Sequence, residues 1–254
     1  MIDISILCPS VRINNIPHVY KTISDNIGPY TFELVVVSPF AIGHFDLAPP
    51  TYKVKFVQDC GSANRAMQIA GYMAEGHLVM NAADDATFLP GLKTTIDQYY
   101  ENECTKHQYM IAVQYTEDYR PRMRNYWITH THDDLRLPTV PNTTFSAVHL
   151  CSRWYWHHLG GYDCIYQNPN FSCIEFMLRA IKEGGVKIEL SQEVAYDVKW
   201  TQGDSETIRK PVHFSTLEED IPLFKKRAQE GYSTCISVDN WKNSPPVWKR
   251  RFPE

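Results

Sequence analysis

The sequence predicts an α/β protein with a mainly parallel central sheet flanked by helices. Three observations predict it: short apolar runs rich in β-branched residues, segments of helical periodicity between them, and glycine or proline at their boundaries. Strands that alternate with helices favour parallel pairing, because each crossover helix returns the chain to the same end of the sheet. We therefore expect ligands beyond the carboxyl ends of the strands.

The first hundred residues contain four predicted strands and three predicted helices. Each strand is a short apolar run, and each helix has apolar residues at a spacing of three or four. The predicted strands are residues 2–8, 32–37, 53–57 and 77–80. The predicted helices are residues 16–26, 62–74 and 92–100, with Ser62 placed to cap the second.

The remainder of the chain contains fewer clear elements. Strands are predicted at 109–115, 145–150 and 186–190, and helices at 172–183 and 217–228. The paired glycines within 159–163 predict a turn. The stretch 117–141 has no clean periodicity and is longer than most connections, which is typical of a functional or mobile loop; a lid is one interpretation.

Size, charge and cysteine content narrow the class of protein. A chain of 254 residues can bury one large core, and we expect a single domain. The formal net charge of -4 argues against a broad nucleic-acid-binding surface. Seven widely spaced cysteines without a Cys-x-x-Cys pair predict neither a disulfide framework nor a zinc site. We find neither signal-peptide features nor an apolar run near the ~20 residues that span a bilayer, so we expect a soluble, cytoplasmic protein.

Two adjacent aspartates, Asp84 and Asp85, follow the predicted strand at 77–80. Carboxylates in this place suit Mg²⁺ or Mn²⁺, which prefer oxygen ligands and keep positions open for phosphate. Such a cation would neutralise charge that develops on a leaving nucleoside diphosphate. The alternative is that the pair forms a turn and caps the next helix.

Four sequence segments occur in a familiar order: ISILCPS, then GSANRAMQIA, then HLVMNAADDATFLPG, and finally LGGYD followed by EFMLRAIKEGG. Together they resemble the family-two glycosyltransferases with the GT-A fold. In that family the corresponding segments are the first strand, the helix start before the metal strand, the strand-plus-aspartate motif, and the acceptor-side loop with the base-carrying helix. The resemblance spans roughly residues 2–190.

The resemblance implies a metal-dependent, inverting transfer of a sugar from a nucleotide-diphosphate donor, expected to be a UDP-sugar, to a hydroxyl of a carbohydrate, lipid or protein. It divides the chain into a nucleotide-sugar-binding half at 1–100, an acceptor-binding half at 101–200 and a tail at 201–254. Asp85 would bind the metal, and Asp84 the ribose or a metal-bound water. The residues implied to bind the nucleotide sugar are Pro9, Ser10, Arg12, Asp59, Arg65 and Asp84.

One departure from the family concerns the nucleobase. Members of the family commonly have an aspartate after the second strand that reads the nucleobase, whereas this chain has Ser38-Pro39-Phe40 at that place. Asp59 is the nearest substitute.

The other departure concerns the general base. The family's Glu-Asp pair at the start of the late helix falls on Ser172-Cys173, and neither is a good base near neutral pH. An inverting transfer needs a carboxylate to accept the proton of the acceptor hydroxyl. Glu175 or Asp163 could do this, and we favour Glu175.

Residues on the acceptor side follow from the same resemblance. Gly161 and Tyr162 lie in the acceptor loop, and Trp154 and Trp156 flank it. Aromatic faces pack well on sugars, although such residues are more often part of a core. His213 could act as an additional metal ligand or diphosphate contact.

Three other functions fit the sequence less well. A non-catalytic nucleotide- or sugar-binding module could keep this fold after losing its base, which the Ser172-Cys173 departure favours. A nucleotidyltransferase would usually have a glycine-rich loop after the first strand, and PSVRINN contains no glycine. A Rossmann dehydrogenase would have a GxGxxG motif directly after the first strand, and this sequence has none there.

Overall fold

The computed structural model describes residues 2–40, 53–103, 108–116, 148–183, 188–197, 217–232 and 235–244. The predicted loop at 117–141, residues 145–147 of a predicted strand and the candidate ligand His213 lie outside these residues.

Eight strands within the described residues form one sheet, in the order β3-β2-β1-β4-β7-β6-β8-β5. Four neighbouring pairs are parallel and three are antiparallel, so the sheet is mixed with parallel pairs in the majority. The antiparallel pairs arise because β7 runs back between β4 and β6, and β5 runs against β8. The strands are β1 Ile4–Pro9, β2 Phe32–Ser38, β3 Lys53–Gln58, β4 Leu78–Asn81, β5 Ala86–Phe88, β6 Met110–Thr116, β7 His149–Ser152 and β8 Ile188–Asp197.

Six α-helices of the described residues accompany the sheet. They are α1 Ile16–Asn26, α2 Ala63–Met73, α3 Gly91–Glu103, α4 Arg153–Leu159, α5 Pro169–Lys182 and α6 Leu217–Glu230. The bounds of α1 are those predicted, and Ser62 caps α2 as predicted by accepting from the Arg65 backbone N–H at 3.2 Å. Within the described segments, no helix combines the length and the apolar character needed to cross a membrane.

Both faces of the sheet are buried, because alternate residues of each central strand point to opposite sides. Leu7 and Val35 belong to a core that also contains side chains of α2, α4, α5 and α6. Ile6 and Leu34 belong to a second core built with α1 and α3. The near-continuous apolar runs of β1 and β2 reflect this double burial.

Two elements are missing from the prediction. The sequence predicts the turn after helix α4 but not the helix itself, because seven residues are too few to reveal a period among aromatic and histidine side chains. Its start is fixed by Ser152, whose side chain accepts from the Tyr155 backbone N–H at 3.0 Å. Strand β5 has three residues and forms only because β8 lies beside it.

A carboxyl-terminal strap, which we define as residues 235–244, crosses from α2 to the glycine turn that follows α4. Gln68 of α2 donates to the Val238 carbonyl at 2.9 Å, and the Ile236 backbone N–H donates to the Leu159 carbonyl at 3.2 Å. Asn240 accepts from the Cys164 backbone N–H at 2.9 Å. These contacts are polar, so the apolar pattern of the sequence gives no sign of them.

The glycine turn provides a stability test. Gly161 has a φ of +67°, and a Cβ there would overlap the Trp156 ring and the Gln68 side-chain oxygen. Gly161→Ala should therefore lower the free energy of unfolding by at least about 2 kcal/mol, since left-handed strain and overpacking add. Urea denaturation followed by circular dichroism measures this.

Gly231→Ala is the matched control. Its φ is +77°, but a Cβ would meet nothing closer than the Lys182 Nζ at 3.7 Å. It should cost only the conformational strain, about 1 kcal/mol. Equal losses in the two variants would show that packing at Gly161 is unimportant.

Candidate active site

The candidate site lies where β1 and β4 end side by side. These strands are parallel neighbours, with Leu7 opposite Asn81 in the register. The segment Ser10–Arg12 follows β1, and the pair Asp84-Asp85 follows β4, so both reach the carboxyl edge of the sheet. This is the edge at which ligands bind in open α/β sheets.

The carboxylate of Asp84 binds the segment that follows β1. Its Oδ2 accepts from the Ser10 hydroxyl at 3.1 Å and from the backbone N–H groups of Val11 and Arg12 at 2.9 and 2.8 Å. Its Oδ1 accepts from the Arg12 guanidinium. Asp84 is 5% exposed, so these bonds form in a largely dry environment. In this structure both oxygens of Asp84 serve to fix the loop.

Asp85 lies beside the same guanidinium. Its Oδ2 is 3.4 Å from Arg12 Nη1, and the residue is 5% exposed. Beneath the pair, burial and then the negative charges of Asp84 and Asp85 raise the pKa of the Cys8 thiol well above its usual value. The thiol therefore stays protonated and is a packing group rather than a nucleophile.

Asp85 is the residue best suited to hold a divalent cation. Among the described residues, no group of three or more histidine, cysteine or acidic side chains is arranged so that it could hold a metal ion by itself. Mg²⁺, however, is commonly bound through one or two carboxylates, with phosphate oxygens and waters completing the shell. A single carboxylate such as that of Asp85 could contribute to that donor set if a phosphate-bearing ligand were bound beside it.

Asp59 and Arg65, both predicted to bind the nucleotide, bind each other. Arg65 Nε lies 3.0 and 2.9 Å from the two carboxylate oxygens of Asp59, and Nη2 lies 2.9 Å from Oδ1. The same guanidinium donates to carbonyls of Trp241 and Ser244 in the carboxyl-terminal strap and stacks over the Trp241 ring at 5.3 Å. Asp59 also lies next to Ser38, since its backbone N–H donates to the Ser38 carbonyl at 2.9 Å.

The glycine turn brings Tyr162 to the end of β4. The Tyr162 hydroxyl donates to Asn81 Oδ1 at 3.0 Å, and its backbone N–H donates to Gln68 Oε1 at 2.6 Å. Asn81 also accepts from the His149 backbone N–H at 3.0 Å. The Tyr162 hydroxyl thereby lies at the end of β4, which comes three residues before Asp84 in the chain.

The two candidate bases belong to one ion cluster. Arg227 Nη1 of α6 lies 2.8 Å from Asp163 Oδ2 and 2.7 Å from Glu175 Oε1. Tyr166 donates its hydroxyl to the other oxygen of Glu175. Glu175 is 0% exposed and Asp163 6% exposed. Burial raises the pKa of Glu175, while Tyr166 and Arg227 oppose that effect.

This architecture is similar to solved structures of S. aureus TarS. TarS 1-349 with UDP gives a TM-score of 0.60 at 11% identity, over 98% of this chain and 70% of that chain. TarS 1-349 with UDP-GlcNAc gives 0.58 at 13% identity, over 79% of this chain and 60% of that chain. A further crystal structure of TarS gives 0.58 at 12% identity and is covered over 44% of its length. The chain has a GT-A fold.

The GT-A resemblance of the sequence is thus confirmed at the level of the fold. No family model matches the chain, and no curated protein matches it in sequence. At identities of 11–13% the similarity shows the fold alone.

Within the GT-A fold, Trp154 is not brought together with the other predicted site residues. The Arg153 backbone N–H donates to the carbonyl of His77 at 2.8 Å, and His77 precedes β4. Trp154 therefore lies at the amino edge of β4, at the opposite end from Asp84. Trp156 is buried in the core, where its ring packs against Gly71.

Arg227, Asn81 and His149 contribute to the site without having been predicted. Arg227 comes from a tail helix whose only sequence signal is amphipathic periodicity, and its partners are 52 and more residues away. Asn81 lies at a strand end, three residues before Asp84. This position in the sequence could have marked Asn81 as a candidate site residue. Only the antiparallel pairing of β7 with β4 reveals His149.

The buried Glu175 predicts a pH dependence of stability. A carboxyl whose pKa is higher in the folded than in the unfolded chain binds more protons when folded. Its contribution to the free energy of unfolding is therefore fully present below about pH 4.3, the ordinary pKa of glutamate, and is lost as the pH rises through the raised pKa. Glu175→Gln should therefore gain stability relative to the wild type as the pH rises from 4 to 7. Urea denaturation at each pH measures the difference, and the opposite slope would contradict it.

Proposed function

We propose that this chain is a glycosyltransferase that moves a sugar from a nucleoside-diphosphate donor to an acceptor hydroxyl. The observation that carries the proposal is the joined pair of strand ends, in which Asp84 binds Ser10–Arg12 directly beside Asp85. This pairing lies at the ligand-binding edge of a GT-A fold. TarS 1-349, which is similar in structure, is solved with UDP and with UDP-GlcNAc, and this supports a UDP-sugar as donor.

The charges at the strand ends support metal dependence. Asp84 and Asp85 carry two negative charges, and Arg12 supplies one positive charge to both. The net negative charge that remains would repel a diphosphate, so a bound divalent cation would reverse the sign of the site. We propose Asp85 as the ligand of Mn²⁺ or Mg²⁺. When bound, the cation would supply charge stabilisation to the leaving nucleoside diphosphate.

Arg12 has a role of its own in this proposal. Its guanidinium is held by the two aspartates and its backbone N–H by Asp84, so it is oriented before a ligand binds. A preorganised cation stabilises negative charge without the cost of ordering a flexible side chain. We propose that Arg12 contributes to binding of the diphosphate, together with Ser10 and Pro9 at the end of β1.

On the acceptor side, exposure and position in the chain distinguish Asp163 from Glu175 as a proton acceptor. Glu175 is fully buried, and its two oxygens are bound by Arg227 and Tyr166. Asp163 is 6% exposed and lies directly after Gly161 and Tyr162. Its Oδ1 accepts from the Ile165 backbone N–H at 3.0 Å, and its Oδ2 pairs with Arg227 at 2.8 Å. We propose that Asp163 accepts the proton of the attacking hydroxyl, while Glu175 holds Arg227. Attack from the side opposite the leaving group would invert the anomeric centre.

The donor prediction is tested by thermal stabilisation with UDP, GDP, CMP and their sugar conjugates, each with and without Mn²⁺. One nucleotide should raise the Tm in a Mn²⁺-dependent manner. In Asp85→Ala the Mn²⁺-dependent part of the shift should disappear while the unliganded Tm is retained. Asp25→Ala is the control, since Asp25 is exposed and pairs with Lys21 on the surface of α1. An unchanged Mn²⁺-dependent shift in Asp85→Ala would refute the metal assignment.

The choice of base is tested by turnover of the donor identified in that screen. Asp163→Asn should lower kcat by about 10²- to 10⁴-fold, as loss of a general base does, with little change in donor affinity. Glu175→Gln should retain most of kcat and instead change stability. The reverse ranking would assign the base to Glu175.

A specific observation favours a second candidate, a non-catalytic nucleotide- or sugar-binding module. Ser172 donates its hydroxyl to the Asp163 carbonyl at 3.2 Å, and burial raises the pKa of Cys173 to about 12. Neither residue can accept a proton near neutral pH. Nucleotide-dependent stabilisation without turnover against a panel of acceptors would select this candidate.

A further inference from the structure

A second depression lies at the opposite edge of the sheet from the candidate active site. We call it the Trp154 groove and define it by its lining residues His77, Arg153, Trp154 and His157, which enclose about 360 Å³. His77 immediately precedes β4, whereas Asp84 and Asp85 follow it. The groove therefore cannot be a part of the donor site.

Trp154 presents an oriented aromatic surface in this groove. Its side chain is 56% exposed, although tryptophan is usually largely buried. The indole stacks on His158 with 5.2 Å between ring centroids and an angle of 9° between planes, and His158 in turn pairs with Glu183. The stack fixes the plane of the indole while leaving it accessible, which is the arrangement that recognises the apolar face of a sugar ring.

Arg153 supplies a positive charge beside the indole. Its Nε donates to the Gly76 carbonyl at 3.0 Å, which orients the guanidinium. Among the described residues, no carboxylate lies within ion-pair distance of it and no acidic side chain lines the groove. An oriented guanidinium without an acidic partner suits a phosphate or carboxylate, to which it can donate two parallel hydrogen bonds.

His157 completes the lining with a neutral hydrogen-bonding group. Burial and the charge of Arg153 lower the pKa of its imidazole. Near neutral pH the ring is uncharged, so it does not add to the charge of Arg153.

We propose that the Trp154 groove binds a sugar ring that carries a negatively charged group, either a phosphate or a carboxylate. The ring stacks on Trp154, and the anionic group pairs with Arg153. The volume lies near the lower end of the roughly 300–1,000 Å³ of small-molecule sites, which suits one ring rather than a long chain. This site is separate from the donor site and does not depend on the proposed transferase activity.

The test is an NMR titration of the full chain labelled with ¹⁵N, in which the Trp154 indole N–H signal is assigned by its loss in Trp154→Ala. Glucose 6-phosphate and glucuronate should shift that signal saturably. Glucose and inorganic phosphate should each bind at least about tenfold more weakly, since each lacks one of the two contacts and tenfold corresponds to about 1.4 kcal/mol. Arg153→Gln should weaken both anionic sugars by at least about tenfold.

Two variants serve as controls. Tyr72→Ala removes another exposed aromatic ring, which packs on Trp241 outside the groove, and Lys21→Gln removes a surface cation of α1. Both should retain wild-type affinity, and UDP with Mn²⁺ should leave the titration unchanged. The proposal is overturned if Arg153→Gln binds normally, if inorganic phosphate binds as tightly as glucose 6-phosphate, or if UDP displaces the sugar.

Discussion

The carboxylate of Asp84 joins two strand ends that are more than 70 residues apart in the chain, and the candidate site depends on that junction. One oxygen accepts three hydrogen bonds from residues 10–12, and the other pairs with Arg12. Because the acceptor is buried and charged, each bond is stronger than its equivalent on the surface, and its loss would leave donors unsatisfied. These bonds to Asp84 also fix the position of Arg12 beside Asp85. Asp84, which the sequence predicts to contact a ligand, therefore has a structural role in joining the two strand ends.

A second set of buried polar contacts fixes the glycine turn that follows α4. Gln68 donates to the Gly160 carbonyl at 2.8 Å and accepts from the Tyr162 backbone N–H at 2.6 Å, so one side chain fixes both ends of the turn. Arg179 of α5 donates to the carbonyls of Leu159 and Gly161. A buried hydrogen-bond network stabilises the fold most when every polar group in it has a partner. The geometry of the turn therefore depends on α2, α5 and the carboxyl-terminal strap together. Here the two predicted halves of the chain share one scaffold.

Predictions from the sequence hold where a local pattern determines the structure. The strands β1 and β2 are apolar on both faces and α1 has a clear period, so burial and periodicity define them without tertiary information. Glu175 shows the limit: its sequence context suggests a base, but whether it faces a ligand or an arginine depends on α6, which folds back from a distant part of the chain. The same applies to Trp154, whose position at the amino edge of β4 follows only from the antiparallel course of β7.

The carboxyl-terminal strap has a consequence for the order in which the chain matures on the ribosome. Gln68 and its strap partner Val238 are 170 residues apart, and Arg65 and Ser244 are 179 residues apart. Contacts of such separation form late, because the whole intervening loop must close before they are made. During synthesis, α2 can pack its apolar side on the growing sheet, yet its buried polar side chains lack these partners until residues 238–244 have been made. Arg65 and Gln68 are thus translated early but gain these partners only after residues 238–244 have been made.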